Sequence, residues 1–130
     1  MLSHRRRTSA CLGVLLTLCL CAAAQAQTAP PDPGNPARGQ TLYQACTGCH
    51  SLDDNDVGPK HRGVFRRRAG TVPDYNYSSA LKAADLVWDR ANLDRWLTNP
   101  QGLVPGTKMY FMIADAQTRA DIIAYLAQQH

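Results

Sequence analysis

The segment Cys46-Thr47-Gly48-Cys49-His50 constrains this chain more than any other part of its sequence. Two thiols separated by two residues, and followed at once by an imidazole, are the attachment signature of a c-type haem. About one helical turn places both sulfurs on the same side of the backbone, where each can form a thioether with a haem vinyl group. The motif therefore predicts one covalent haem with His50 on its iron.

Two other interpretations of the motif are a redox-active Cys-x-x-Cys with a chance histidine and half of a zinc site. A zinc site needs four ligands, usually in two pairs. The histidines that remain after the motif are His61 and His130, and neither belongs to a second pair. A thioredoxin-like motif needs a βαβ context, which the sequence does not show. Haem attachment is favoured over both.

The N-terminus has the organisation of a secretory signal peptide. Three arginines at 5–7 precede an almost unbroken apolar run over 11–24, and Ala24-Gln25-Ala26 offers a small-x-small cleavage site. The run is too short to span a bilayer. We expect residues 1–26 to be cleaved after export by the Sec route and the mature protein to be extracytoplasmic, in the periplasm. An uncleaved anchor is the alternative.

Removal of the signal peptide changes the cysteine count and the charge. The five cysteines become the two of the motif, so no disulfide framework is expected. Loss of three arginines lowers the basic residues from 14 to 11 against 10 aspartates, which leaves a net charge near +1, or near −1 with two haem propionates. Nucleic acid binding is not implied. A remaining basic cluster is interpreted either as a solvated loop or as a propionate-facing or docking surface; it comprises Lys60, Arg62, Arg66, Arg67 and Arg68.

The chain after the signal peptide has the length of one small domain. Residues 27–35 are rich in proline and predict a flexible leader, and residues 36–130 form the predicted domain. A chain this short buries only about two thirds of its unfolded surface, so a haem at its centre would supply much of the core.

The capping and periodicity signals predict an all-α fold with long loops. Three main helices are expected to begin at the N-cap residues Asn35, Asp89 and Asp115. The first should run from Pro36 into the haem motif, and Asn99-Pro100 should end the second. A short helix is expected over 78–84, and mainly loops over 51–77 and 101–114. The apolar positions expected to face inward are Leu93, Trp96, Leu97, Ile122, Ile123 and Leu126.

The chain from about Gly39 to Leu126 resembles the class I cytochromes c, in their mitochondrial and bacterial mitochondrial-like branch. The resemblance implies three main helices, a short helix and long loops wrapped around one covalent haem. It is carried, beyond the haem motif, by Val57-Gly58-Pro59, Arg67, Gly70, Tyr77-Ser78, Trp88, Leu97-Thr98-Asn99-Pro100, Pro105-Gly106-Thr107-Lys108-Met109 and Ala124-Tyr125-Leu126.

The resemblance also implies which residues hold the haem. Met109 and Met112 are the methionines available for the second axial position, and the resemblance selects Met109 as the partner of His50. The Pro59 carbonyl would accept a hydrogen bond from the free ring N–H of His50. The remaining implied residues are Cys46 and Cys49 for the thioethers, Arg67, Tyr77 and Trp88 around a buried propionate, and Thr107 beside Met109.

The chain departs from the resembled family at several positions. His61 stands where the family often has an apolar residue, and we expect it to be a packing histidine. Trp96 stands where many relatives have a tyrosine near the methionine ligand, so a different hydrogen bond is expected there. Positions that carry lysines in mitochondrial proteins are Ala45, Gln101 and Gly102 here, so a basic docking ring is not supported and a mostly apolar patch is expected.

The function implied by the resemblance is that of an extracytoplasmic one-electron carrier and not of an enzyme. Its expected partners are redox proteins, either a membrane reductase or oxidase or a dehydrogenase, with no small-molecule substrate and a monomeric state. An alternative is a dedicated haem c subunit of an extracytoplasmic dehydrogenase. A third hypothesis is a haem enzyme or sensor in which Met109 is labile and a small ligand binds.

Overall fold

The computed structural model describes residues 33–130, so the predicted signal peptide and most of the leader lie outside the described residues. Within this range the fold is all-α, as predicted, and its sole β feature is an isolated bridge between Arg68 and Val87. No helix in this range has the length and apolar character needed to cross a membrane. The helices are α1 (Pro36–Leu42), α2 (Ser79–Ala83), α3 (Arg90–Thr98), α4 (Pro100–Leu103) and α5 (Ala116–Leu126), with a 3₁₀ helix at Tyr43–Cys46.

The predicted capping residues open the three main helices. Asn35 Oδ1 accepts from the backbone N–H groups of Ala37 and Arg38 at 3.0 and 3.1 Å. Asp89 and Asp115 each accept, at 2.7 Å, from the backbone N–H three residues further on. These bonds satisfy N–H groups that have no partner inside the helix.

Two helix boundaries differ from the sequence-based expectation. The first helix reaches the haem motif only by tightening into the 3₁₀ helix Tyr43–Cys46, whose spacing of three puts the side chains of Tyr43 and Cys46 on one side. The segment after Asn99 is not all loop, because Pro100–Leu103 is helical. Asn99 ends α3 and also caps α4, accepting from the Gly102 N–H at 2.9 Å. A proline suits the first turn of a helix as well as the end of one.

Helix α1 packs closely against α5 and so joins the N-terminal and C-terminal parts of the domain. A Cβ on Gly39 would lie 2.0 Å from the Asp121 carbonyl oxygen, so only glycine allows this approach. The Asp121 side chain, 1% exposed, accepts from the Asn35 N–H at 2.8 Å and forms an ion pair with Arg38. The hydrogen-bonded Arg38 guanidinium holds the pKa of this carboxyl well below its usual range. Charge pairing and close backbone contact thus join the two ends of the domain.

A buried arginine links α5 to α3 and to the loop before α5. Arg119 Nε donates to Asp94 at 2.7 Å, and its Nη1 donates to the carbonyls of Ile113 and Ala114 at 2.9 and 2.8 Å. The Ile113 N–H donates in turn to the Leu97 carbonyl at 2.8 Å. These bonds hold the end of the loop that contains Met109 against α3.

Candidate functional site

A cleft with about 1280 Å³ of empty space, including its open mouth, lies between the motif and the late loop. The first half of the chain contributes the motif, residues 57–59 and His61, and the second half contributes Trp96 and residues 107–111. Every site residue predicted from the sequence lines this one cleft: Cys46, Cys49, His50, Pro59, Arg67, Tyr77, Trp88, Thr107 and Met109.

The two motif cysteines lie at the cleft wall. The turn that holds them is closed by bonds from the Cys49 and His50 N–H groups to the Cys46 carbonyl at 3.1 and 2.9 Å. Burial raises the pKa of Cys46 to about 11, with a further contribution from Cys49. A redox-active Cys-x-x-Cys needs a thiol of lowered pKa. The environment of Cys46 therefore disfavours the thioredoxin-like interpretation.

His50 is held as a neutral ligand. Its Nδ1–H donates to the Pro59 carbonyl at 2.8 Å, which leaves Nε2 without a proton. Burial lowers the pKa of the ring. A Cβ on Gly58 would lie 2.1 Å from His50 Cε1, so glycine is required for the ring to occupy this place. The imidazole is thus prepared to donate a nitrogen lone pair to a metal.

His61 packs beside this ligand. Its ring stacks on the His50 ring, with centroids 4.0 Å apart and planes at 21°. Its Nδ1 lies 3.0 Å from the Tyr43 hydroxyl. Burial, with the charges of His50 and Arg67, lowers the pKa of His61 well below its usual value. These contacts agree with the packing role expected from the sequence.

The sulfur of Met109 lies beside an indole. Trp96 Nε1–H donates to Met109 Sδ at 3.0 Å, at the position where the sequence predicts hydrogen bonding different from that of a tyrosine. Met112 is 58% exposed and does not line the cleft. The geometry therefore favours Met109 over Met112 as the thioether donor.

A half-buried guanidinium lies on another side of the cleft. Arg67 Nη1 and Nη2 donate to the carbonyls of Arg62 and Lys60, each at 2.9 Å. Within residues 33–130 no carboxylate pairs with Arg67. A cation that is partly withdrawn from water is stabilised by a counterion. The hydrogen-bond donors Tyr77 and Trp88 line the same cleft as Arg67. The arrangement suits the carboxylate of an enclosed ligand.

The donor set fits a haem better than a bare ion. Among the described residues no three His, Cys, Asp or Glu side chains are grouped to hold a metal. The cleft instead offers the His50 imidazole, the Met109 thioether, the sulfurs of Cys46 and Cys49 and the Arg67 guanidinium, in largely apolar surroundings. These groups match the two axial positions, the two vinyl attachments and a propionate of a single haem c.

Comparison with known proteins decides the family. The family model described as Cytochrome c matches residues 36–130. The chain belongs to the cytochrome c family. Cytochrome c2 of Rhodomicrobium vannielii is 44% identical over 101 residues, 75% of this chain and 81% of the relative. Cytochrome c of Euglena viridis is 45% identical over 97 residues, 72% of this chain and 95% of the relative.

Solved structures agree with this assignment. The structure of cytochrome cH from Methylobacterium extorquens has a TM-score of 0.70 and 43% identity, covering 72% of this chain and 98% of that one. As a class I cytochrome c, the protein carries one covalently attached haem c with iron and acts in electron transport. The resemblance identified from the sequence is confirmed.

Some cleft residues were not predicted to be part of the site. Val57, Tyr110 and Phe111 line its mouth and are substantially exposed. Gln101, which lies outside the cleft lining, contacts the backbone of the Met109 loop, whereas its sequence position indicates only the absence of a docking lysine. Nothing in the sequence indicated this contact, because it depends on how α4 faces the loop.

Proposed function

We propose that this cytochrome c is an extracytoplasmic one-electron carrier and not an enzyme. Thioethers from Cys46 and Cys49 would hold the haem, and His50 and Met109 would be its axial ligands. The observation that carries this proposal is the convergence of these four side chains in one cleft. The bound haem would supply an iron that gains and loses one electron.

The surroundings of the two axial ligands favour the same ligation in both oxidation states. Pro59 sets the tautomer of His50, and the stacked His61 ring restricts its rotation. Trp96 donates to the Met109 sulfur and so orients it. With both axial positions filled by side chains, there is no open position for a substrate, which supports electron transfer without bond chemistry.

The polar residues of the cleft are suited to the haem propionates. Arg67 would pair with a propionate while its carbonyl contacts keep the guanidinium in place. Tyr77 and Trp88 would complete this site, and the buried Thr107 would support the Met109 side. Enclosing the propionate charge would limit solvent rearrangement around the site.

The ligation is tested with a pair of methionine variants of the haem-loaded protein. Met109→Ala should abolish the thioether-to-iron charge-transfer band of the ferric protein and allow carbon monoxide to bind the ferrous form. Met112→Ala, at an exposed position outside the cleft, should do neither. Carbon monoxide binding by the unaltered protein would favour the haem enzyme or sensor with a labile Met109, and reversed behaviour of the two variants would reassign the ligand.

The surface supports a second candidate, a dedicated haem c subunit of an extracytoplasmic dehydrogenase. Val57, Tyr110, Phe111 and Met112 are 70%, 73%, 47% and 58% exposed, and three of them line the cleft mouth. An apolar patch of this kind suits lasting contact with another protein better than steering by charge. Purification from native membranes and periplasm distinguishes the two, since a subunit would elute with its dehydrogenase and a carrier would elute alone as a monomer.

The location and domain limits form part of the same proposal. Residues 1–26 would be removed on export, 27–35 would form the leader, and 36–130 would form the haem domain. The capped start of α1 at Asn35 and the family match over 36–130 support the last boundary. N-terminal sequencing of the periplasmic protein should give a chain that begins near Gln27, and an intact Met1 would contradict cleavage.

A further inference from the structure

The carboxamide of Gln101 is bonded to the loop that carries Met109. Its Nε2 donates to the carbonyls of Thr107 and Met109 at 2.7 and 3.1 Å. Its Oε1 accepts from the Gly106 N–H at 3.2 Å. Only this orientation of the carboxamide suits all three groups, because the reverse would set its oxygen against two carbonyls and its NH₂ against an N–H.

Gln101 is presented to the loop from a firmly held turn. Pro100, which precedes it, is almost fully buried, and Asn99 caps the helix through the Gly102 N–H at 2.9 Å. The Leu103 N–H donates to the Asn99 carbonyl at 3.1 Å. The backbone of Gln101 is therefore fixed independently of the loop that its side chain contacts.

The loop itself has few other backbone bonds near Met109. Gly106 has a φ of +87°, and the Thr107 N–H donates to the Val104 carbonyl at 3.1 Å. The Lys108 ammonium donates to the Asn76 carbonyl at 2.6 Å from an exposed position. The Gln101 side chain donates to both the Thr107 and the Met109 carbonyls, so it directly restrains the backbone that orients the sulfur.

We propose that Gln101 is a positioning residue that keeps Met109 on the iron by tying residues 106–109 to α4. This inference rests on the proposed function, in which Met109 is the axial ligand. Trp96 orients the Met109 sulfur and Gln101 restrains the Met109 backbone, so both the side chain and the main chain of Met109 are fixed by hydrogen bonds. Loss of the carboxamide leaves the Met109 carbonyl without this donor and permits the loop to open.

Two variants of the haem-loaded protein test the role of the carboxamide. Gln101→Leu retains most of the side-chain volume but makes no hydrogen bond. Gln101→Glu keeps an acceptor for the Gly106 N–H but sets a carboxylate against two carbonyls. Gln40→Ala is the matched control, because Gln40 is exposed on α1. The readouts are the pH at which the ferric thioether-to-iron band is lost, the rate of carbon monoxide binding to the ferrous form, and amide hydrogen exchange.

In both Gln101 variants, the loop at residues 106–109 should open more readily. Losing these bonds should shift the opening equilibrium about tenfold, which lowers the midpoint pH of band loss by about one unit and speeds carbon monoxide binding about tenfold. Exchange of the Gly106 N–H should accelerate in Gln101→Leu, whereas exchange at Ile122 and Ile123 in the core should not change. Gln40→Ala should leave every readout unaltered.

The outcomes separate this inference from the proposed function. If the unaltered protein lacks the thioether band, or if the band survives in Met109→Ala, the ligation is wrong and the proposed function fails. If the band is normal but both Gln101 variants match Gln40→Ala in midpoint pH and carbon monoxide rate, the ligation stands and the positioning role is overturned. Faster exchange throughout α5 would show general destabilisation and would also overturn it.

Discussion

The indole N–H of Trp96 donates a hydrogen bond to the sulfur of Met109 at 3.0 Å. An indole is a donor only, so this bond uses a lone pair of the sulfur and cannot reverse its direction. With Met109 as the proposed ligand, the positive end of the N–H dipole would lie at the sulfur that binds the iron. It would disfavour the more positive ferric state and should raise the reduction potential.

Replacing Trp96 with phenylalanine should lower that potential. A neutral hydrogen bond is worth about 1 kcal/mol and a tenfold change in a one-electron equilibrium is about 59 mV, so the expected fall is on the order of tens of millivolts. Spectroelectrochemical titration measures the potential. Tyr125→Phe is the control, since Tyr125 does not line the cleft. An unchanged potential in Trp96→Phe, or an equal fall in the control, would refute the effect.

Lys108 should replace Met109 on ferric iron at alkaline pH. The amine must lose its proton and leave the Asn76 carbonyl, to which its Nζ donates at 2.6 Å, before it can bind. Lys108→Ala should remove the lysine-ligated state or move the loss of Met109 to higher pH, and the ferrous form should resist the change. Electron paramagnetic resonance across the alkaline range distinguishes the states. Lys82→Ala is the control, and a change in that variant alone would transfer the role to Lys82.

The buried carboxylate of Asp121 should stabilise the fold at neutral pH. Asp121→Asn should lower the free energy of unfolding by about 2 kcal/mol, because it removes the charge of a buried carboxylate from its hydrogen bonds and from its pair with the half-exposed Arg38. The pKa of Asp121 is depressed in the folded state, so its stabilisation is full above the ordinary aspartate pKa of about 4 and is lost as pH falls toward the folded value. The difference in urea unfolding between variant and parent should therefore shrink below about pH 4.

The matched control for Asp121 is an exposed ion pair. Asp53 bonds to Arg62 with both side chains largely exposed, so Asp53→Asn should change the free energy of unfolding little at any pH. A loss of stability in Asp121→Asn that stayed constant down to strongly acidic pH would mean that packing, and not charge, is responsible.

Electron transfer should depend weakly on ionic strength. The basic cluster is partly neutralised, because Arg62 pairs with Asp53 and Arg68 lies 2.9 Å from Asp85. Arg66→Ala and Arg68→Ala should therefore change the association rate modestly. Stopped-flow oxidation by ferricyanide and by a cationic cobalt complex, over a range of salt concentrations, measures the effective charge at the cleft. Steep and opposite salt dependences would show that charge steers the encounter.

The helices were largely predictable because their signals are local. Asn35, Asp89 and Asp115 cap the backbone within three residues of themselves, and such short-range chemistry is visible in a sequence. Helix α4 was missed because Asn99-Pro100 also has the pattern of a helix end, and only its packing shows that a second helix begins there.

The features of the site also divide into those that the sequence predicted and those that required the structure. The motif and the resemblance predicted nine of the cleft-lining residues, because their identities are tied to the chemistry of the haem. The Gln101 contacts were not predictable, since they join a side chain to carbonyls in a loop whose path depends on the whole fold. The sequence indicated that Trp96 would differ in its hydrogen bonding from a tyrosine, but its direct donation to Met109 required coordinates.

The contact of α1 with α5 also has a consequence for the order of events during biogenesis. Asn35 and Asp121 are 86 positions apart, and Gly39 meets its partner only when the C-terminal helix is present. On a chain delivered N-terminus first, this distance in sequence becomes a delay in time. During that delay α1 would have no partner, and the adjoining Cys46 and Cys49 would remain accessible for haem attachment. Packing of α5 would therefore end the interval in which the cofactor can be joined.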